Sequence, residues 1–164
     1  MTRVISLEKF VTGVTAKAGA RLLAQQMATE NITAEASAAG VSGVAAAFDG
    51  FSRRHVLPAR VIEAGQVALD ELLSNIVKVG FEPGIAGRID VSFDLSGPAL
   101  EIVVSYNGAP FDPLARKDPD TQASLDDRAV GGLGIYLVKK LMDGVTYERV
   151  GGENRLRMSK RIDP

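Results

Sequence analysis

Arg88-Ile-Asp-Val-Ser-Phe-Asp-Leu-Ser-Gly-Pro-Ala-Leu-Glu-Ile-Val-Val104 reads as a β-hairpin. Ile89, Val91, Phe93 and Leu95 alternate with polar residues over 88–95, so they share one face of a strand. Leu100, Ile102 and Val104 repeat the alternation, and Ser96-Gly-Pro98 between the two runs is turn chemistry. Two antiparallel strands with one apolar face need a second layer to cover that face.

The cover lies upstream. Residues 41–55 carry Val41, Val44, Phe48 and Phe51 at helical spacing. Pro58 suits a helix's first turn, and Val61, Gly65, Ala68, Leu72, Ile76 and Val79 follow at spacings of three and four. Phe81-Glu-Pro-Gly84 ends that helix. Before both helices, Ile32-Thr-Ala-Glu-Ala-Ser37 alternates small apolar and polar residues, as an edge strand does.

Beyond the hairpin, residues 112–128 are polar and contain Pro113 and Pro119; a loop this long in a small domain is commonly functional, often a lid. Gly131-Gly-Leu-Gly134 then opens a helix over 135–142. Two strands, 145–150 and 155–161, close the chain around Gly151-Gly152. The expectation is an α+β fold, a two-layer α/β sandwich on a mostly antiparallel sheet.

Composition narrows the function. With 164 residues the chain makes one domain, and 46% apolar with 24% charged residues is ordinary for a folded protein. Lys plus Arg is 19 against 20 for Asp plus Glu, a net charge of −1, which argues against binding nucleic acid directly. Cysteine is absent and His55 is the single histidine, so thiol chemistry and multi-histidine metal sites are excluded. His55, beside Arg53 and Arg54 at a helix end, reads as a capping or surface residue. No stretch is apolar enough to cross a bilayer, and a cytoplasmic location is expected. Residues 1–28 differ from the rest: Arg3, Lys9, Lys17 and Arg21 face only Glu8, with Leu7, Phe10, Val11 and Val14 at helical spacing. They read as an extra helical segment outside the 29–164 domain, with a transit peptide, a membrane-surface helix and a tag as the alternatives.

Three segments can carry chemistry. In Asp70-Glu-Leu-Leu-Ser-Asn75, Glu71 and Asn75 lie one helical turn apart on one face. A carboxylate beside a carboxamide suits Mg²⁺, which takes few protein oxygens, and the carboxylate can also act as a general base. Taken alone, the pair is more commonly an ordinary solvated helix face. Gly131-Gly-Leu-Gly134 at a helix start lets backbone N–H groups approach a phosphate, or is a flexible joint; no Gly-Lys-Ser/Thr follows, so it is not a P-loop. Tyr106-Asn-Gly-Ala-Pro-Phe-Asp-Pro113 is a strand exit with a tight turn at Gly108 and Pro110, beneath which Phe111 can plug the core.

The ordered set resembles the GHKL ATPase superfamily, and within it the bacterial anti-sigma factor serine/threonine kinases. Glu71-Leu-Leu-Ser-Asn75 looks like the family's N box. Pro110-Phe-Asp-Pro113 looks like the segment after its first glycine box, and Gly131-Gly-Leu-Gly-Ile-Tyr-Leu-Val138 like its second. Tyr147-Glu-Arg149 and Gly152-Glu-Asn154 resemble its terminal strand pair. The resemblance implies that Asn75 coordinates the Mg²⁺ bridging an ATP triphosphate and that Glu71 activates a serine or threonine hydroxyl of a protein substrate. It implies that Gly132 and Gly134 hold phosphate oxygens and that Gly108 floors the adenine pocket. Arg116 and Lys117 are placed to neutralise phosphate on charge grounds alone.

The implied partners are an anti-anti-sigma protein of the STAS type and a sigma factor, in a partner-switching circuit; homodimers are frequent in the family. Tyr106 departs from the pattern, standing where the family has an Asp that accepts from the adenine amine. That departure keeps open a non-catalytic interaction module of the same fold, in which nucleotide binding is weakened or lost. A sensor histidine kinase is disfavoured, since no dimerisation helix with a phospho-acceptor histidine precedes the motifs.

Overall fold

Ser37 sets the first helix. Its backbone is extended (φ −143°) and its hydroxyl accepts from Gly40 N–H at 3.1 Å, an N-cap that satisfies one of the helix's orphan donors. Helix α1, Ala38–Arg54, therefore begins three residues before the apolar stripe does. Pro58 caps α2, Ala59–Val79, in the same extended conformation. In this computed structural model, residues 28–81, 86–115 and 133–163 are described. The segment 1–27, Glu82 to Gly84, the loop beyond Ala115 with Arg116 and Lys117, and Gly131 with Gly132 lie outside the described residues.

Five strands form one antiparallel sheet: β1, Thr29–Glu35; β2, Arg88–Asp94; β3, Ala99–Tyr106; β4, Gly144–Val150; and β5, Glu153–Arg161. Their spatial order is β1-β2-β3-β5-β4, with β1 and β4 at the edges. The β2–β3 hairpin pairs Ile89 with Tyr106 and Asp94 with Glu101, as the alternation requires. The strand expected over 32–37 instead pairs from Thr29↔Asp94 to Glu35↔Arg88. Register with β2 fixes its length, and Ser37 is taken by the helix cap. Helix α3, Leu133–Leu141, completes the described elements apart from a short 3₁₀ turn at Pro113–Ala115.

One layer of helices covers one face of the sheet, as expected for the α+β sandwich. Ile89, Val91 and Phe93 of β2, Leu100, Ile102, Val104 and Tyr106 of β3, and Leu156 and Met158 of β5 point into a single core with the helices. Phe93 packs its ring on Phe48 and Phe51 of α1, at centroid separations of 5.3 and 5.5 Å. Burying each such side chain is worth about 1.5–3 kcal/mol. The opposite face of the sheet is polar, with ion pairs such as Arg157–Glu101 (2.8 Å) lying across it.

Two expectations change. Val79 ends the predicted stripe of α2 but is 59% exposed, because it occupies the last turn, beyond Ile76, where the helix gives way to Gly80 and leaves the core. Phe111 is only half-buried, and the core beneath the Gly108 turn is filled by Tyr106. His55 is the C-cap of α1 and packs its ring, tilted, against Phe51 at a centroid separation of 4.5 Å, in keeping with a capping role. Among the described residues no helix is long and apolar enough to cross a membrane.

Candidate functional site

Helix α2 carries the site because its buried stripe fixes its rotation. With Ala68, Leu72 and Ile76 in the core, Glu71 and Asn75 fall at the half-buried margin of the helix rather than on its outer face. The preceding Asp70 is exposed. Asn75 Nδ2 donates to Glu71 O at 2.7 Å, which holds the carboxamide along the helix. With its nitrogen so engaged, the side chain offers a ligand its oxygen, the hard donor that Mg²⁺ takes.

The first turn of α3 lies on Glu71. A Cβ built on Gly134 would stand 2.1 Å from Glu71 Oε2 and 2.9 Å from its Cδ, so glycine is required for helix and carboxylate to approach this closely. The N-terminal end of a helix carries partial positive charge and favours the carboxylate there. The structure thus brings the Glu71 carboxylate against Gly134, with Asn75 one turn further along α2. Gly132, the other glycine expected to hold phosphate, is not among the described residues.

Gly108 meets the same helix further along. Its added Cβ would stand 1.9 Å from Gly80 O, and Ala109 N–H donates to that carbonyl at 3.1 Å. The turn after β3 is therefore seated on the C-terminal end of α2. Residues 71 and 80 are separated by roughly 13 Å along a helix axis at 1.5 Å per residue. Gly134 and Gly108 accordingly mark two ends of one strip of α2.

Tyr106 faces inward, following the alternation of Leu100, Ile102 and Val104. It is 1% exposed, its ring sits edge-on to Phe81 at 6.0 Å, and it presents no surface to a ligand in this arrangement. Burial pushes its phenol up from the ordinary 10.0 to about 12; nearby Tyr147 adds to the rise and Arg149 opposes it. At neutral pH the position holds a neutral hydroxyl where a carboxylate was the pattern.

The sequence reading left one side chain of this region without a role. Asn154 of β5 is 0% exposed and pairs in register with Tyr106. Its Nδ2 donates to Ala109 O (2.9 Å) and Gly108 O (3.2 Å). Its Oδ1 accepts from Tyr147 O–H (2.7 Å), Arg149 Nη1 (3.0 Å) and Phe111 N–H (3.4 Å). The signal was present in the pattern: Asn154, Leu156 and Met158 alternate, so the asparagine belongs to the buried face.

The fit to Mg²⁺ and a nucleotide rests on this donor set. Among the described residues no group of three or more His, Cys, Asp or Glu could cage a metal. A single amide oxygen with one nearby carboxylate fits a cation that keeps its remaining ligands on phosphate and water. The Gly134 backbone is a place a phosphate can approach, but only with a cation to offset the Glu71 charge beside it.

Comparison with known proteins agrees with the fold. The family model described as the histidine kinase-like ATPase domain matches residues 34–160. The chain is 33% identical over 95 residues to the serine/threonine-protein kinase BtrW of Bordetella bronchiseptica, covering 58% of this chain and 67% of that protein. It is 32% identical over 96 residues to the serine-protein kinase RsbW of Staphylococcus aureus, covering 56% and 60%. It is 33% identical over 100 residues to RsbW of Listeria monocytogenes, covering 58% and 64%. The matches thus span about two-thirds or less of these relatives. A crystal structure of the RsbU and RsbW domains of Rv1364c from Mycobacterium tuberculosis superposes with a TM-score of 0.61 at 16% identity, over 82% of this chain and 32% of that one; the likeness is one of fold.

Proposed function

The chain belongs to the histidine kinase-like ATPase domain family, and on that premise we propose that it is an ATP-dependent serine/threonine protein kinase of the anti-sigma type. The observation that carries this reading is the close approach of the Glu71 carboxylate to Gly134 at the start of α3, with Asn75 one turn further along α2. Kinases by name among its relatives support it.

Bound ATP with Mg²⁺ would supply the phosphoryl group and the charge that screens it. The chain's own residues would do the rest. Asn75 would hold the cation through its oxygen, and Gly132 and Gly134 would receive phosphate oxygens. Gly108, at the far end of the α2 strip, would stand on the base side. Glu71 accepts the proton of a serine or threonine hydroxyl on the protein substrate. Phosphoryl transfer asks mainly for positioning and charge stabilisation, so a small set of groups is sufficient. The protein substrate is an anti-anti-sigma protein of the STAS type and the regulated partner a sigma factor, in partner switching of transcription in the cytoplasm.

A second reading is favoured by one observation. Tyr106 is buried and neutral at the position of the family's base-reading carboxylate. A domain with that change keeps its fold and partner surface while binding nucleotide weakly or not at all.

Calorimetric titration with ATP, with and without Mg²⁺, separates the two, and paired substitutions test the roles. Glu71→Ala leaves ATP affinity nearly intact and lowers phosphorylation of the partner by about 10²–10⁴-fold, the range of general-base catalysis. Asn75→Ala weakens the Mg²⁺-dependent part of binding. Equal loss of affinity in both variants contradicts the assignments, and no ATP binding by the wild type leaves the interaction module.

A further inference from the structure

Asn154 is unusual in being a wholly buried polar side chain whose partners belong to two different segments, the turn after β3 and strand β4. A carboxamide has two N–H donors and an oxygen with two lone pairs. Both sides are engaged here: Nδ2 is shared between the Gly108 and Ala109 carbonyls, and Oδ1 receives Tyr147, Arg149 and Phe111. Arg149 Nη1 also reaches Gly108 O at 3.3 Å. A side chain so committed has nothing left to offer a ligand directly. Its effect is to fix the turn.

The turn's backbone shows how completely. The Gly108 and Ala109 carbonyls go to Asn154, Ala109 N–H goes to Gly80 O, Phe111 N–H goes to Asn154, and Pro110 has no N–H. Just before it, Asn107 Oδ1 accepts from Arg88 N–H at 2.9 Å. The strands do not require this arrangement, since β3, β4 and β5 are joined by their own ladders. What the network adds is a single shape for residues 108–111, the segment on the base side of the strip.

We propose that Asn154 is a positioning residue for nucleotide recognition, holding the Gly108–Ala109 carbonyls turned toward itself so that the turn meets the base in a fixed shape. This rests on the ATP-binding reading above. It predicts a selective defect: the base end of the ligand is affected and the phosphate end, served by Asn75 and Gly134, is not.

The test compares Mg²⁺–ATP with Mg²⁺–tripolyphosphate, which has phosphates and no base, by calorimetry on the full chain. Asn154→Asp is nearly isosteric, keeps an acceptor for Tyr147 and Arg149, and removes both donors to the turn. With Ala109 O left without its Asn154 donor and Gly108 O keeping only Arg149 Nη1 at 3.3 Å, ATP is expected to weaken by about 10-fold, while tripolyphosphate affinity stays within about twofold of wild type. Tyr147→Phe removes one of three donors to Oδ1 and serves if Asn154→Asp does not fold; a few-fold loss for ATP alone is then expected. Parallel weakening of both ligands, or no change in either, overturns the proposal while leaving ATP binding by the wild type intact. A wild type that binds tripolyphosphate as tightly as ATP also overturns it. A wild type that binds neither ligand removes the nucleotide reading and this inference together.

Discussion

Gly134→Ala tests the contact at the centre of the site. The new Cβ would arrive 2.1 Å from Glu71 Oε2, and ordinary contact begins near 3.4 Å, so the carboxylate has to retreat by more than about 1 Å. The backbone cost is small. Gly134 is not in the left-handed region, and alanine in a helix gains up to about 1 kcal/mol over glycine. Driving Glu71 toward a poorer rotamer costs about 0.5–1.5 kcal/mol, which roughly cancels that gain. Thermal stability is therefore expected to move by less than about 4 °C.

Phosphoryl transfer should not be spared. A misplacement of about 1 Å in a catalytic group costs on the order of 10²-fold, or about 2.7 kcal/mol of barrier. Single-turnover transfer to the cognate partner at saturating ATP measures it. The double substitution Gly134→Ala/Glu71→Ala separates causes, because the methyl group then has no carboxylate to displace. Its rate should match that of Glu71→Ala alone, the non-additivity of two residues acting through one contact. A folded Gly134→Ala protein with undiminished transfer would refute the placement of Glu71 as base.

Two further outcomes follow from residues outside that contact. Tyr106 keeps its proton in the folded state to about pH 12, while the unfolded chain releases it near 10. The folded state then binds more protons, so its contribution is complete below pH 10 and is lost as pH rises toward 12. Denaturant melts across that window should show the decline, and a Tyr106→Phe protein lacking the Tyr106 share of that slope is the expected control; an unchanged slope contradicts it. Val56, between α1 and α2, has φ +51° and is 79% exposed, a left-handed conformation that is a steric outlier for a β-branched residue. Val56→Asn should stabilise the protein by about 1 kcal/mol in a urea melt, and a destabilised variant would show that the valine is held there by something else.

Periodicity carried most of the fold. The helix stripes and the alternation of β2 and β3 each state which face is buried, and one core follows from matching them. What the patterns left out has a physical cause. The start of α1 was hidden because Ala38, Ala39 and Gly40 carry no large apolar side chain, and only the Ser37 cap marks it. Val79 shows that a stripe continues in sequence beyond the point where a partner surface exists. Glu71 and Asn75 were legible as a pair because a four-residue spacing fixes their common face, whatever the tertiary contacts. Tyr106 and Asn154 were harder, since polar groups on a strand are read as exposed unless the alternation is followed to its end. Their pairing is a contact between residues 48 positions apart, which no local pattern encodes.

The position of β1 at the sheet edge bears on the order in which the molecule assembles. Its partners on β2 lie 53 to 65 residues further along the chain, with both long helices in between. The β2–β3 and β4–β5 pairs close short loops, so their entropic cost is met early, whereas β1 closes the longest loop for one row of ladder bonds. It gains that row only on one side, because nothing in the described fold flanks its outer edge. The strand that joins last is also the one whose release costs least. Fraying would then begin at β1, while the α2 strip with Glu71, Asn75 and Gly80 remains packed against α3 and the β3–β5 pair.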